Sequence, residues 1–330
     1  MLTRRFFKPT LLITVLAGLL LPLQALSLEE TGMGPEPIYR DVLRGDFVVG
    51  GASSRIYLGP PQTEPFDVIL SGIPTDNCRI ARAYANWSYL TDDPEAPSQA
   101  AITINGFQIM GDLTGVGTPD LCWGKEYGAA YTADITELVI AAGGNSTYSI
   151  GGATDDPTTV ALGEGISLLA IYECPGLPLR EIDVYSGYTS NTSTDDSTAK
   201  ALYWFGDNYI GGSTHFFINA LDGQEEGGED FYLNGQLASG VLPGTVAPGN
   251  AWQGLLGPGA PSTNFYDHGE GDSSAFMTPG DIFLVATMDM AGDCVGHSFG
   301  AISFNAIPEP STFALIGVGA SLLLLRRRKR

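Results

Sequence analysis

Residues 165–172 read Gly-Ile-Ser-Leu-Leu-Ala-Ile-Tyr. From Ile166 to Tyr172 this run is apolar on both faces a strand would present, the pattern of a strand held between two layers. Shorter runs lie on either side of it. Phe66–Leu70, Ala101–Ile104, Ser146–Ile150 and Glu181–Tyr185 precede or follow at short intervals, then His215–Ile218, Ile282–Ala286 and Ala301–Phe304. Several alternate apolar with polar residues, as half-buried strands do. Only Asp134–Ile140 suggests a helix, and a short one. The 43 glycines and 21 prolines, with Asn, Asp and Ser, punctuate the chain between these runs. Many short strands with frequent turn signals predict an all-β chain, a β-sandwich of jelly-roll type.

Both ends differ from this body. Arg4, Arg5 and Lys8 precede an apolar run from Leu11 to Leu23, and Gln24, Ala25 and Ser27 follow. A basic start, a short apolar run and a small-residue exit predict a secretory signal peptide over 1–27, handled by the Sec export machinery. At the other end stand Pro308-Glu309-Pro310-Ser311-Thr312, an apolar segment Phe313–Leu325, and Arg326-Arg327-Arg328-Lys329-Arg330. The segment is short for a membrane helix, but arginine and lysine stems snorkel and extend its reach. The basic block holds the terminus on the cytoplasmic side. The expected topology has the body outside and a stub inside.

The series Ile307-Pro-Glu-Pro-Ser-Thr-Phe-Ala-Leu315, a glycine-containing apolar segment and a terminal arginine run resembles the PEP-CTERM sorting signal. That resemblance implies processing by an exosortase of a Gram-negative, exopolysaccharide-producing bacterium. It implies recognition at Pro308, Glu309 and Pro310 and removal of the helix behind them, so 313–325 would sit in the inner membrane only in the precursor. The paired prolines keep the strip extended, the form a protease-like enzyme can grip. Three parts follow: signal peptide 1–27, extracellular β-sandwich domain 28–307, sorting tail 308–330.

The body is strongly acidic. Setting aside Arg4, Arg5, Lys8 and the five basic residues of 326–330 leaves 8 Lys and Arg; setting aside Glu309 leaves 36 Asp and Glu, a net charge near −28. Phosphate binding needs clustered Lys and Arg, so nucleic acid is excluded as a partner. Cations, neutral glycans and basic surfaces remain compatible. From 45 to 234, Gly45-Asp-Phe-Val-Val-Gly50, Ala83–Tyr89, Tyr131–Val139, Gly165–Tyr172 and Pro178–Tyr185 occur in an order that resembles an uncharacterised β-domain of bacterial and archaeal surface proteins. That resemblance bears on fold and location and implies no activity.

Four cysteines, Cys78, Cys122, Cys174 and Cys294, predict two disulfides in an exported chain. Three pairings are possible. Closeness in the chain favours Cys78 with Cys122, leaving Cys174 with Cys294.

Candidate chemistry is sparse. Gly296-His297-Ser298-Phe299-Gly300 matches the nucleophile-elbow pattern, but a strand-like run follows it where a helix is required, and no histidine follows Ser298. His215 or His268 would have to complete a convergent triad. The acidic loop Asp222-Gly-Gln-Glu-Glu-Gly-Gly-Glu-Asp230 offers Asp222, Glu225, Glu226, Glu229 and Asp230 as oxygen ligands for Ca²⁺, the one cofactor the sequence suggests. Asp267–Asp272 reads as a second acidic loop. Other carboxylates read as solvated loop charges. Among the aromatics, Trp87 and Trp204 read as core, Trp123 as packed on a disulfide, and Trp252, in a Gly- and Pro-rich stretch, as exposed. The resulting expectation is a non-enzymatic surface or matrix protein that binds exopolysaccharide or cations. The alternative is a secreted glycoside hydrolase using paired carboxylates.

Overall fold

The computed structural model describes residues 33, 36–56, 64–117, 123–154, 161–191, 199–223, 228–257, 259, 263–290 and 294–306. The expected signal peptide and the sorting tail, including Pro308, Glu309 and Pro310, lie outside the described residues. So do Cys122, Glu225 and Glu226.

The regular secondary structure of the described body is almost entirely strand. Its first part runs β1 (Tyr39–Ser53), β2 (Phe66–Leu70), β3 (Arg79–Thr91), β4 (Ala101–Ile104), β5 (Phe107–Met110), β6 (Asp112–Gly117), β7 (Tyr127–Asp134), helix α1 (Thr136–Ala141), β8 (Ser146–Gly151) and β9 (Leu162–Glu173). The second runs β10 (Leu179–Asn191), β11 (Ala199–Trp204), β12 (Thr214–Leu221), β13 (Glu229–Leu233), β14 (Gln236–Leu237), β15 (Tyr266–Gly271), β16 (Phe283–Met290) and β17 (Val295–Asn305). Every sequence-predicted strand is present, and the short helix falls where Asp134–Ile140 placed it.

Nine strands form one sheet in the order β15-β12-β17-β10-β1-β9-β3-β7-β6, and two four-stranded sheets, β11-β16-β13-β14 and β2-β8-β4-β5, accompany it. The large sheet is folded over. From β17 to β3 is four strand steps, about 19 Å in a flat sheet. Yet Ser88 Oγ on β3 donates to Ser298 Oγ on β17 at 2.9 Å. The hinge is β1, which pairs with β10 through Tyr39–Arg44 and with β9 through Gly45–Ser53. Gly45 stands at the switch, where a Cβ would lie 1.8 Å from the Tyr172 carbonyl oxygen. Only glycine lets the two backbones approach this closely.

Three cores follow. The first lies between β2-β8-β4-β5 and one half of the large sheet, around Trp87, Tyr131, Tyr148, Ile150 and Leu168. The second lies between β11-β16-β13-β14 and the other half, around Tyr203, Phe216, Phe231, Trp252 and Phe304. The third fills the fold of the large sheet, with Phe47, Leu169, Ile171, Val184, Phe217 and Phe299. The run that was apolar on both faces serves two of them: Ile166, Leu168 and Ala170 enter the first core, Leu169 and Ile171 the third. The sandwich expectation is met, with two sandwiches sharing β1 and packed back to back.

The disulfide pairing expected from chain proximity is corrected. Cys78 bonds Cys174, 96 residues away, with Cα atoms 4.3 Å apart. Cys78 immediately precedes β3 and Cys174 immediately follows β9, and these strands pair antiparallel with Arg79 opposite Glu173. Strand pairing, not sequence distance, brings the sulfurs together. Cys294 is also disulfide-bonded.

Candidate functional site

Several sequence candidates turn out to be structural. The Gly296–Gly300 pattern lies inside β17 and is buried throughout. Ser298 Oγ donates to Asn86 Oδ1 at 2.7 Å and accepts from Asn219 Nδ2 and Ser88 Oγ, both at 2.9 Å. Its hydroxyl is saturated with partners that bolt the two halves of the folded sheet together. The neighbouring ring of His297 is wholly buried, and desolvation lowers its pKa to about 4.

His215 is held elsewhere. Its ring stacks on Phe47 at 4.1 Å and is hydrogen-bonded to Asp46 Oδ1 at 3.0 Å and Glu270 Oε1 at 2.9 Å. Burial opposes its charge, but the hydrogen bonds and charges of Asp46 and Glu270 prevail and push its pKa up to about 9. This imidazolium clamps β12 to β1 and β15.

Asp222 and Glu229 of the acidic loop are likewise turned inward, and Asp230 lies on the outer face of β13. Asp222 accepts from Trp123 Nε1 at 2.6 Å and meets Arg55, which also bonds Glu164 and lies over the rings of Trp123 and Phe265. Asp230 accepts from Gly249 N at 2.7 Å. Glu229 is fully buried and accepts from Trp252 N at 3.2 Å. Among the described residues no three His, Cys, Asp or Glu side chains converge on a possible metal position.

Trp252 and Asp267 correct two further expectations. Asp267–Asp272 is mostly strand β15, and Asp267 is buried, accepting from Gln253, Gly254 and Leu255 N at 2.7 Å each. With Trp252 N on Glu229, four consecutive amides are spent on two buried carboxylates. They draw the Gly- and Pro-rich stretch over the second core, so Trp252 is buried, not exposed. Desolvation raises Glu229 to about 7 and Asp267 to about 6. These carboxylates, with Glu181 and Asp183, are not the solvated loop charges expected of them.

Trp204 is corrected in the opposite sense: it is 44% exposed. Its neighbours Tyr203 and Phe205 are buried, so alternation along β11 turns the indole outward. The end of the strand is fixed, because the Trp204 carbonyl accepts from Tyr185 OH at 2.7 Å and from Arg40, itself pinned by Asp183 at 2.8 Å. Directly opposite on β16 stands Phe283, 41% exposed, with ring centroids 6.1 Å apart. The same outer face continues through the pair Leu202–Val285 to Lys200, Thr287 and Tyr232, then to Asp289 and Asp230.

Beside Phe283 a groove of about 670 Å³ opens, floored by Phe276 and Val285 and walled by Asn234, Gln236, Thr278 and Asp281. Asn234 and Gly235 have φ of 47° and 72°, the left-handed pair of a tight hairpin between β13 and β14. The Asn234 side chain ties that hairpin to the Phe276 carbonyl and the Val285 amide. The Thr278–Asp281 turn is closed by Thr278 N donating to Asp281 Oδ2 at 2.8 Å. An exposed aromatic pair on a flat sheet, beside a groove edged by amides, a hydroxyl and a carboxylate, can hold a ligand with apolar faces and hydroxyl edges.

A second groove, of about 740 Å³, lies between Phe107, Ile109 and α1. Its polar rim is mutually engaged: Arg82 pairs with Asp134 at 3.1 Å, Asp134 with Thr136, and Asn105 with Ser149 N. Sequence reasoning missed the Trp204–Phe283 site because each residue sits in a run of strand character. The available signal was that Leu202 and Trp204 share one strand face while Tyr203 and Phe205 share the other, giving one short run two apolar faces.

The family model of the PEP-CTERM protein-sorting motif matches residues 306–329. No curated protein matches. Two solved structures bear a remote likeness. BpGH86A, a β-porphyranase of glycoside hydrolase family 86 from the human gut bacterium Bacteroides plebeius, is 11% identical with a TM-score of 0.23, over 75% of this chain and 36% of that one. PNGF-II is 12% identical with a TM-score of 0.23, over 83% of this chain and 60% of that one. The chain thus spans about a third and three fifths of their lengths.

Proposed function

We propose that the exported body is a non-enzymatic polysaccharide-binding protein of the cell surface or extracellular matrix, and that it binds through the outer face of β11, β16 and β13. The observation that carries this reading is the in-register, solvent-exposed Trp204–Phe283 pair beside the polar-edged groove. Sugar rings lay their C–H faces on aromatic planes and offer hydroxyls to amides and carboxylates around them. The sorting motif supplies the setting, an exported protein processed by an exosortase.

The hydrolase alternative has less support. Glycoside hydrolysis needs two carboxylates about 5 to 9.5 Å apart across the substrate. The groove beside Phe283 offers one, Asp281, and the opposed Asp230 and Asp289 lie outside its lining. Asp46 and Glu270 do come together, but over His215, which bonds both.

The test is co-sedimentation of the processed, exported protein with the producing organism's own exopolysaccharide, with calcium and with chelator. Binding that Trp204→Ala weakens about tenfold, with the polymer left at full length, supports the reading. Shortening of the polymer makes the protein an enzyme and ends the proposal. Loss of binding on chelation alone brings calcium in as a cofactor, at Asp222–Asp230.

A further inference from the structure

We infer that the polysaccharide taken by this face carries protonated amines: it is a partly de-N-acetylated amino-sugar polymer. The inference rests on the reading above and names the ligand class of that same face. Its support is the charge pattern of the strip. Along β16 the outward residues run Asp289, Thr287, Val285, Phe283, with Asp281 just beyond the strand. From Asp289 to Phe283 is six residues, about 20 Å of strand. The aromatic and aliphatic middle is therefore bounded by carboxylates at both ends.

The far end is unusual in its pairing. Asp230 on β13 is directly opposite Asp289 on β16, on the same outer face. Like charges directly opposed across strands destabilise a sheet. Asp289 is exposed, whereas Asp230 also accepts from Gly249 N at 2.7 Å, so Asp289 is the member that the packing does not call for. Lys200, one row along on β11, is the cation of this face among the described residues. A cationic ligand lying over Asp230 and Asp289 relieves their repulsion. Its apolar ring faces then reach Tyr232, Phe283 and Trp204, and a further amine reaches Asp281.

The whole-body field selects in the same sense. A net charge near −28 over 28–307 repels anionic polymers and concentrates cationic ones. A neutral glycan gains from the aromatics alone and a polyanion is disfavoured throughout. An amino-sugar polymer matches both the stacking surface and the charge.

The test uses the processed, exported protein in affinity electrophoresis through gels containing chitosan, its fully N-acetylated counterpart, a neutral β-glucan, alginate, or polylysine. Chitosan should retard the protein about tenfold more strongly than the acetylated polymer at low salt. The preference should fall away near 0.5 M salt, where the Debye length shrinks to about 4 Å. Asp230→Asn with Asp289→Asn should weaken chitosan binding about fivefold, and weaken it more than β-glucan binding. Trp204→Ala should weaken binding to both. Equal binding of the acetylated and free-amine polymers, insensitive to salt, overturns the amine inference and leaves the polysaccharide reading intact. Chitosan binding untouched by Trp204→Ala, or polylysine binding as tight, also overturns it, because charge alone then suffices. Failure to bind any polysaccharide takes down the underlying reading instead. Near-ultraviolet circular dichroism checks that each variant is folded.

Discussion

The two four-stranded sheets do the same structural work on opposite sides of the molecule. Each buries one face against the folded large sheet, β2-β8-β4-β5 over the first core and β11-β16-β13-β14 over the second. Their outer faces differ. The first pairs Asp67 with Ser149, Ile69 with Thr147, Thr103 with Gln108 and Ala101 with Met110, so that exposed aliphatic side chains stand among polar ones. The second pairs Leu202 with Val285 and Trp204 with Phe283. Burial of the inner face decides whether such a sheet forms, so it leaves the outer face free. Single aliphatic side chains among polar ones are ordinary on a protein surface, whereas two adjacent aromatic rings are the feature on which the proposed binding rests. The halves also differ in how they are secured. The first has the Cys78–Cys174 bond between two paired strands; the second, where Cys294 is also disulfide-bonded, encloses Glu181, Asp183, Glu229 and Asp267 among apolar side chains.

The sharpest test of that comparison sets two tryptophans against each other. Trp87, 1% exposed and stacked on Tyr131, should cost about 3–5 kcal/mol when changed to alanine, read by urea denaturation. Trp204→Ala should cost under about 1 kcal/mol on the same measurement while abolishing most of the polymer binding. Comparable losses of stability would mean that the exposed face is structural after all.

Next in size is the disulfide. Cys78 and Cys174 close a loop of 96 residues, so the Cys174→Ser variant should lose about 2–5 kcal/mol. Hydrogen exchange should locate the loss in β3 and β9. If β13 and β16 lose protection equally, the two sandwiches unfold as one unit through β1.

A smaller effect, on the order of 2 kcal/mol, is expected from pH. Desolvation raises Glu229 and Glu181 to about 7 and Asp267 to about 6, above their unfolded values. Each is protonated in both states below about pH 4 and must ionise within the fold at higher pH. Their contribution is therefore most favourable in acid and is lost as pH rises through 6 to 7. The second sandwich should loosen between about pH 4 and 7, seen as faster exchange in β13, β15 and 251–257. In the first sandwich the raised groups, such as Tyr131 and Tyr148, titrate above that window, so it should not respond. His215 adds a later loss near pH 9 as its charge, held by Asp46 and Glu270, disappears.

A loss of similar size should come from Ser298→Ala. Removing a hydroxyl that serves Asn86, Asn219 and Ser88 should cost about 1–3 kcal/mol of stability at most, and polymer binding should not change. A change in binding without a change in stability would reopen the strand-borne Gly-x-Ser-x-Gly pattern as a functional element.

Strand positions were legible because alternation and turn residues are local signals. The pairing of strands was not, and most of the corrected expectations descend from it. Cys78 finds Cys174 only because β3 lies beside β9. Trp204 faces outward only because Tyr203 and Phe205 take the inner face. Trp252 is buried because Glu229 and Asp267, distant in sequence, draw its neighbouring amides inward. Those two carboxylates looked like solvated charges because composition carries no record of burial. Ser298 could be set aside from sequence alone, since the run after it reads as a strand.

By itself the sequence determined that the chain is all-β, acidic in its body and tipped with a sorting motif, because these properties reside in composition, period-two patterning and short contiguous motifs. Only the tertiary structure decided that β1 divides its partners at Gly45, folds one sheet into two back-to-back sandwiches, and leaves Trp204 and Phe283 side by side in solvent. Those outcomes depend on which apolar faces find each other. That choice is made by burial across residues far apart in the chain, and no local stretch of sequence holds it.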